Sequence, residues 1–219
     1  MVTLSEENYL KAIYHLSNHG SISVSTNAIA EKMETKASSV TDMIKKLADK
    51  NFVNYIKYHG ASLTELGRLT AVLVIRKHRL WEMFLVSKLN FSWDEVHNVA
   101  EQLEHIKSEK LINELDAFLE FPTHDPHGDP IPDKNGNINT LDKVPLSTLQ
   151  ENQGSKLLSV KDSSDEFLRF LNKRNISIGD TINVLNIEPY DKSVQIRVNS
   201  KEMTITENVA ENLYVKNVK

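Results

Sequence analysis

The stretch that decides the fold runs from residue 25 to residue 63 and reads STNAIAEKMETKASSVTDMIKKLADKNFVNYIKYHGASL. Its first part predicts two short helices, at 25–33 and 39–51, separated by a polar break. Its second part predicts a hairpin, because residues 52–58 are rich in β-branched and aromatic side chains and Gly60 supplies a turn. Two helices across a tight turn, followed by a hairpin, are typical of a winged helix-turn-helix domain.

Helical periodicity continues on both sides of this stretch. The apolar residues at the start of the chain predict a first helix with Ser5 as its N-cap. Beyond the hairpin, a long helix is predicted over 64–89, and two shorter helices are predicted to begin at Ser92 and Ser108. Pro122 ends the last of them, and the following residues predict an ordered loop.

The pattern changes to short β-type segments after about residue 156. The predicted elements of this region are strands near 157–160, 181–186, 193–198, 203–206 and 213–215, with a helix at 166–173. Their number and spacing favour a small SH3-like β-barrel. We therefore predict a mainly α chain with a small β part, divided into a winged helix-turn-helix domain (1–70), a helical domain (71–140), a linker (141–155) and the barrel (156–219).

Composition excludes several classes of function. The 219 residues include no cysteine, which removes disulfides, thiolate zinc sites and cysteine nucleophiles. No apolar run is long enough to span a membrane, and the first residues do not resemble a signal peptide, so we expect a cytoplasmic protein. Glycine-rich phosphate loops, nucleophile elbows and H-E-x-x-H pairs do not occur, and we predict that the chain is not an enzyme.

Charge is distributed unevenly along the chain, whose net charge is −4. Residues 1–80 hold 11 basic and 7 acidic side chains, residues 81–140 hold 4 and 12, and residues 141–219 hold 11 and 11. A mildly basic first part followed by an acidic middle favours a nucleic-acid contact beside a cation site. Charges scattered only for solubility would give the same sums, so this pattern does not decide between the two interpretations.

The second helix of a helix-turn-helix places its N-terminal end in the major groove of DNA. Here that end carries hydroxyl groups suited to base edges or phosphates, and lysines suited to phosphates follow. The candidate DNA-binding residues are Thr26, Lys36, Ser38, Ser39, Thr41, Asp42, Lys45, Lys46 and Lys57. The alternative is an ordinary helix cap with a solvated charged face, and the neighbouring hairpin favours DNA binding over it.

Histidines and carboxylates recur at helical spacing in the acidic middle of the chain. His78 and Glu82 are four residues apart on the long helix and share one face. The next helix is predicted to carry a second stripe, at positions i, i+4, i+7 and i+8: His97, Glu101, Glu104 and His105. Crowded carboxylates repel one another unless a cation lies among them, and the stripe itself contains no basic residue. A divalent cation explains this pattern, and a solvated face with incidental histidines is the alternative.

A proline-rich loop adds two more candidate ligands, since Asp125 and His127 flank a rigid proline and could face one ion. A structured turn without metal is the alternative for this loop. Oxygen and imidazole ligands without sulfur favour Mn²⁺ first and Fe²⁺ next, and Zn²⁺ is a further candidate in vitro because its raw affinity for such sites is high.

These motifs together resemble the diphtheria-toxin-repressor and manganese-transport-regulator family of metal-dependent transcriptional repressors, nearly from end to end. The resembling segments are ENYLKAIY (7–14), SSVTDMIKKL (38–47), LTELG (63–67), RKHRLWE (76–82), VH (96–97), AEQLEH (100–105) and DPHGDPIP (125–132). The resemblance implies a homodimer that binds a palindromic operator in double-stranded DNA and controls metal-uptake genes. It also implies that the helical domain mediates dimerisation and that the C-terminal domain is of the FeoA type.

The resemblance further implies two neighbouring metal sites in each subunit. The ligands of one would be Asn8, Glu101, Glu104 and His105. The ligands of the other would be His78, Glu82 and His97, with Asp125 and His127 of the loop or Asp162, Asp165 and Glu166 of the barrel. Manganese-type members carry carboxylates at the positions of Asn8 and Glu101, and iron-type members carry sulfur at both. Glu101 thus favours manganese, Asn8 weakens its site, and Lys11 replaces an acid of the manganese-type members, which argues against a two-ion cluster of their kind.

Two other classes of function stay open at this point. A winged-helix regulator with a purely structural His/Glu set would bind DNA equally well in the presence of a chelator. A metal-dependent hydrolase would show turnover and an open, water-bearing position on its metal.

Overall fold

The computed structural model describes residues 2–217, which form two compact units. Unit 1 contains the chain up to Trp81 together with Glu101–Glu114 and Pro132–Ile138. Unit 2 contains Glu82–Ala100, Leu115–Ile131 and the chain from Asn139 onward. Residues 71–140, which we predicted as a single helical domain, are therefore shared between the two units.

Unit 1 begins with the predicted winged helix-turn-helix. Its elements are α1 (Leu4–Leu16), α2 (Thr26–Lys32), α3 (Ala37–Asp49), β1 (Val53–Ile56), β2 (Gly60–Leu63) and the first part of α4 (Glu65–Leu89). The core among these elements is formed by side chains such as Leu10, Ile13, Ile29, Ile44 and Leu47, all fully buried. This packing fixes α3 against α1 and α2 and leaves its opposite face to solvent.

The start of α1 differs from our prediction. Thr3, and not Ser5, is the N-cap, and it forms a capping box with Glu6. The Glu6 amide donates to Thr3 Oγ1 at 3.3 Å, and the Thr3 amide donates to Glu6 Oε2 at 3.0 Å. The reciprocal bonds satisfy two backbone donors that the first helical turn leaves unpaired, and Ser5 offers no such pair.

The hairpin is joined by a third extended segment, because Val24 and Ala61 exchange backbone hydrogen bonds at 2.8 Å in both directions. Gly60 makes this close approach possible. Its φ is +93°, and a Cβ at this position would clash with the carbonyl oxygen of Val24. Only glycine accommodates both the left-handed backbone and the neighbouring chain.

Glu6 also connects α1 to the C-terminal half of α3. Its carboxylate is buried and accepts bonds from Lys50 at 2.8 Å and Lys46 at 3.0 Å. Burial by itself would raise the pKa of Glu6, but the bonds from Lys50, the Thr3 backbone and Lys46 outweigh it and lower the pKa from 4.5 to about 2. The ionised carboxylate therefore stabilises the folded state.

Replacing Glu6 by glutamine is expected to destabilise unit 1 by about 1 to 2 kcal/mol at pH 7, after discounting for the partly exposed lysines. A depressed pKa stabilises the fold above the unfolded value of about 4.5, and this stabilisation is lost as pH falls towards 2. The difference between Glu6→Gln and the parent protein should therefore shrink between pH 5 and pH 2. Hydrogen exchange of the α1 and α3 amides measures this difference in stability, and Glu31→Gln, at an exposed position, is the control. A difference that does not depend on pH would contradict the prediction.

The two helices that directly follow α4 are shorter than predicted. They are α5 (His97–Leu103) and α6 (Glu109–Phe118). The predicted stripe of four residues on one helix is wrong, because α5 ends at Leu103 and Glu104 and His105 lie in the turn that follows. Glu104 is fully buried there, and its bonds to other elements replace a continuation of the helix.

The predicted C-terminal domain is present in unit 2 as an antiparallel six-stranded sheet with the order β3-β8-β4-β5-β6-β7. Its strands are β3 (Lys143–Pro145), β4 (Gly154–Val160), β5 (Thr181–Ile187), β6 (Val194–Val198), β7 (Lys201–Ile205) and β8 (Leu213–Lys216). Helices α7 (Asp165–Asn172) and α8 (Glu207–Asn212) pack with it. The segment 141–155 is more ordered than the linker we predicted, since β3 pairs with β8 and a 3-10 helix follows at Leu146–Thr148.

None of the helices within residues 2–217 combines the length and the apolar character that crossing a membrane requires.

Candidate metal centre and DNA-binding surface

The face of α3 that carries the predicted DNA contacts is accessible. Ser38, Ser39, Asp42 and Lys45 are exposed, and Lys36 is exposed at the N-cap. The side chain of Lys36, the N-cap residue, forms no capping hydrogen bond with this end of the helix. The backbone N–H groups of an uncapped first turn, with the positive end of the helix dipole, suit a phosphate group.

The other predicted DNA-binding residues occupy more varied positions. Thr41 is half-buried and donates from its hydroxyl to the Ala37 carbonyl at 2.9 Å, and Thr26 is the half-buried first residue of α2. Lys46 pairs with Glu6, as described above. At the tip of the hairpin, the Lys57 ammonium lies 5.0 Å from the centroid of the exposed Tyr58 ring.

Unit 2 brings Glu82, Asp125 and His127 together, and all three are buried. One ligand atom from each lies within 4.8 Å of the others. Two ligand atoms on opposite sides of an ion that bonds to oxygen at about 2.1 Å are about 4.2 Å apart. The three side chains would therefore have to move together only slightly to bind one ion. Two carboxylates and one imidazole without sulfur are the donor set expected for Mn²⁺ or Fe²⁺, and the group fits a divalent cation.

The loop that carries two of these ligands is rigidly held. Asp125 Oδ1 accepts the amides of His127 at 2.8 Å and Asp129 at 3.0 Å. The His127 carbonyl accepts the amide of Val160, on β4, at 3.0 Å. These bonds fix the orientation of the Asp125 carboxylate and attach the loop to the C-terminal sheet.

The His127 ring is oriented by a backbone carbonyl. Its Nε2 lies 2.8 Å from the carbonyl oxygen of Trp93, which can only accept, so Nε2 carries a proton. Its Nδ1 lies 3.7 Å from Glu82 Oε2. Burial alone would lower the pKa of His127, but Glu82 and Asp125 outweigh it and raise the pKa to about 9. A carbonyl that fixes one ring nitrogen and leaves the other facing carboxylates is the usual surrounding of a metal-binding histidine.

Two other predicted ligands, His97 and His78, lie on α5 and α4. His97 begins α5 and its Nδ1 is 3.6 Å from Glu82 Oε1, with about half of its side chain exposed. His78 precedes Glu82 by one turn of α4 and belongs to unit 1. The predicted shared face of His78 and Glu82 follows from their positions on this continuous helix.

Unit 1 contains a second cluster, which includes Lys11, the residue that replaces an acid of the manganese-type members. Glu104 accepts from Lys11 Nζ at 2.7 and 2.8 Å, and its Oε2 lies 2.6 Å from His78 Nδ1. Glu101 lies 3.3 Å from the same ammonium. Burial would raise the pKa of Glu104, but the bonds from His78 and Lys11 outweigh it and lower the pKa.

Glu7 is a further member of this cluster that we did not predict. Its Oε2 lies 2.6 Å from His105 Nδ1, and its Oε1 lies 3.9 Å from Lys77 Nζ. Asn8, which the resemblance implied as a ligand, is a half-buried neighbour of Glu7 on α1. No spacing in the sequence pointed to Glu7, because its partners His105 and Lys77 lie far from it along the chain.

Two of the three acidic residues predicted in the barrel form hydrogen bonds at α7. Asp162 Oδ1 accepts the amide of Ser164, the N-cap of α7, at 2.9 Å. Asp165 pairs with Arg169 at 2.9 Å, and Glu166 is exposed. Among the described residues, the compact groups of possible ligands include none of these three.

Comparisons with known proteins identify three domains along the chain. The N-terminal DNA-binding domain of iron-dependent repressors matches residues 1–61. The metal-binding and dimerisation domain of the same proteins matches residues 64–133, and the FeoA domain matches residues 144–217.

Individual proteins similar to this chain are also named as metal-dependent repressors. Iron-dependent repressor IdeR of Mycobacterium tuberculosis is 35% identical over 126 residues, which are 58% of this chain and 54% of that protein. The match thus spans about half the length of such curated relatives. Diphtheria toxin repressor of Corynebacterium diphtheriae is 24% identical over 221 residues, 96% of each chain. A solved manganese-dependent transcriptional repressor in complex with manganese has a TM-score of 0.85 and 31% identity, over 97% of this chain and 100% of that one.

A winged helix-turn-helix, buried carboxylate and imidazole clusters, and a small β domain together define the class of metal-responsive DNA-binding regulators. The chain belongs to the diphtheria-toxin-repressor and manganese-transport-regulator family, which confirms the resemblance found in the sequence. This family consists of DNA-binding transcriptional repressors and not of enzymes.

Proposed function

We propose that this protein is a cytoplasmic transcriptional repressor that binds a palindromic operator as a homodimer when a divalent metal is bound, and that it controls metal-uptake genes. Mn²⁺ is the proposed co-repressor, with Fe²⁺ next and Zn²⁺ as an in vitro substitute. The observation that carries the proposal is the buried Glu82–Asp125–His127 group, whose donor atoms suit such an ion.

In this proposal, each side chain of the metal centre has a defined task. Glu82 supplies a carboxylate from α4, and Asp125 and His127 supply a carboxylate and an imidazole from the loop. A bound ion would link these two segments by accepting electron pairs from both. The amides of the loop hold Asp125 in position, and the Trp93 carbonyl holds the His127 ring so that Nδ1 faces the group.

The link between this centre and DNA runs through α4, because that helix begins directly after the hairpin and extends past Glu82. A ligand stabilises whichever conformations bind it best, so fixing α4 raises the population of the state that binds DNA. The exposed end of α3 supplies the contacts in the major groove, with Ser38 and Ser39 near the bases and Lys45 near a phosphate.

Ligand chemistry and solved relatives support manganese as the co-repressor. The donors are oxygen and nitrogen, and Glu101 is a carboxylate where iron-type members carry sulfur. The solved relative described above contains manganese, and another, ScaR, was solved with Zn²⁺, at a TM-score of 0.78 and 31% identity over 97% of this chain and 99% of that one.

The test is the affinity of the full-length protein for its own upstream region, measured by fluorescence anisotropy at fixed salt. We expect binding to be about 100-fold tighter with Mn²⁺ than with EDTA, and we expect Fe²⁺ and Zn²⁺ to act to different extents. Lys45→Ala should weaken binding in every metal condition and reduce the salt dependence by about one charge. Equal affinity with metal and with chelator would refute metal control and favour the winged-helix regulator with a structural His/Glu set.

A further inference from the structure

We propose that the Lys11 ammonium replaces a metal ion at the Glu101–Glu104 cluster of unit 1. The protein would then sense metal through the Glu82–Asp125–His127 group, and the second ion that the family resemblance implies would be replaced by a charge built into the chain. This inference rests on the proposed function, since it concerns how many ions serve as co-repressor.

The geometry of Lys11 carries the argument. Its Nζ lies 2.7 and 2.8 Å from the two oxygens of Glu104 and 3.3 Å from Glu101 Oε1. The Lys11 side chain is 16% exposed and that of Glu104 is 0% exposed, so water screens the contact weakly. One ammonium therefore contacts both oxygens of Glu104 and one of Glu101, which are the carboxylates that a metal at this cluster would need.

An ammonium competes with a divalent ion for these carboxylates. A protonated lysine has three donors and no lone pair, so it cannot become a ligand as an imidazole can. An ion bonded to Glu104 would lie within a few ångströms of the Lys11 charge and would be repelled by it. The side chains at this cluster do not fit a metal while Lys11 is present.

The cluster is also close to charge balance without a metal. Its three carboxylates are Glu7, Glu101 and Glu104, and two ammonium groups, those of Lys11 and Lys77, lie within 4.0 Å of them. The two imidazoles are bonded to these same carboxylates, His78 to Glu104 and His105 to Glu7. The repulsion among carboxylates, from which we predicted a metal here, is thus relieved by lysines from α1 and α4.

The other elements of a metal site are nevertheless still in place. His105 Nδ1 is held by Glu7, and its Nε2 lies 3.6 Å from Glu104 Oε1. A histidine oriented by a carboxylate in this way presents its second nitrogen to a metal in many proteins. Removing the ammonium should therefore open the cluster to an ion, and this makes the inference testable by a gain of binding.

The experiment is a count of bound Mn²⁺ per chain, by anaerobic equilibrium dialysis and elemental analysis of the full-length protein. Lys11→Glu, which removes the ammonium and adds an oxygen ligand, is expected to bind one Mn²⁺ more than the parent protein. Lys110→Glu is the matched control, because it makes the same charge change at an exposed site on α6 and should leave the count unchanged.

Two further variants show which residues bind each ion. Lys11→Met removes the charge without adding a ligand and should raise Mn²⁺ affinity at this cluster less than Lys11→Glu does. Glu104→Gln should remove no ion from the parent protein but should remove the added ion from the Lys11→Glu background. Near-ultraviolet circular dichroism verifies that each variant is folded.

The inference is overturned if the parent protein loses one ion on Glu104→Gln, or if a folded Lys11→Glu binds no additional ion. The proposed function has a separate test, since it fails if DNA affinity does not respond to metal, whatever the ion count. A parent protein that binds no ion would count against the proposed function, while a gain of one ion in Lys11→Glu would still support the role of Lys11.

Discussion

Replacing Glu82 by glutamine is expected to weaken Mn²⁺ binding by about 100-fold or more and to abolish the gain in DNA affinity on adding metal. Glutamine keeps the size of the side chain but removes the negative charge that faces His127 and His97. Changes in the residues around a metal ligand already reduce affinity by about 10- to 100-fold, and loss of a carboxylate ligand should exceed that range.

The measurement is isothermal titration of Mn²⁺, followed by DNA binding at saturating metal. Glu211→Gln is the control, because it makes the same Glu-to-Gln change at an exposed position on α8 in the same unit. The DNA affinity of Glu82→Gln in EDTA should equal that of the parent protein. Unchanged Mn²⁺ affinity in a folded Glu82→Gln would show that this group is not the metal centre.

The substitution Gly128→Ala is expected to destabilise unit 2 by about 3 kcal/mol or more and to reduce Mn²⁺ affinity at the same time. Gly128 has a φ of +82°, and an added Cβ would clash with the carbonyl oxygen of Leu158 and lie 2.6 Å from Ser159 Cα. Both neighbours are backbone atoms of β4, so they cannot move aside as a side chain could. The loop would have to leave the sheet, and Asp125 and His127 would be displaced with it.

Gly179→Ala is the matched control for this prediction. Gly179 lies in the same unit and has a similar φ of +97°, but a Cβ there meets only the end of the Lys156 side chain, at 3.7 Å. Gly179→Ala should lower the free energy of unfolding by about 1 kcal/mol, because only the left-handed backbone is strained, and it should leave Mn²⁺ binding intact. Urea denaturation and Mn²⁺ titration compare the stability and the Mn²⁺ affinity of the two variants. Equal effects on Mn²⁺ affinity would contradict the role of the contact between the loop and β4.

The fold could be predicted from the sequence where local patterns determine it. The helix-turn-helix, the hairpin and the small C-terminal β domain each have a periodicity or a turn signal of their own, and each is present in the structure. The boundaries were less accurate, as at Thr3 and at β3 (Lys143–Pro145), because capping bonds and strand pairing depend on partners that periodicity does not reveal.

The metal centre was harder to predict, because its members lie far apart in the sequence. Asp125 and His127 were identified as a candidate pair, and Glu82 was predicted from its spacing to His78. Spacing alone did not place Glu82 beside the loop, and the family resemblance gave the loop only as an alternative to the barrel. The stripe at 97–105 failed for a related reason. Helical spacing describes the contacts within one helix only. The cation beside Glu104 is Lys11, which lies 93 residues away in the sequence, and we had assigned its place to a metal ion.

A lysine in place of one ion would also set the shape of the response to metal. A repressor that needs two ions in each subunit changes state steeply once their concentration passes a threshold. With a single ion per subunit, any cooperativity must come from the coupling of two subunits on one operator, and the Hill coefficient of metal-dependent DNA binding could not exceed two. The Lys11 contact would thus give a graded adjustment of gene expression over a wide range of metal supply.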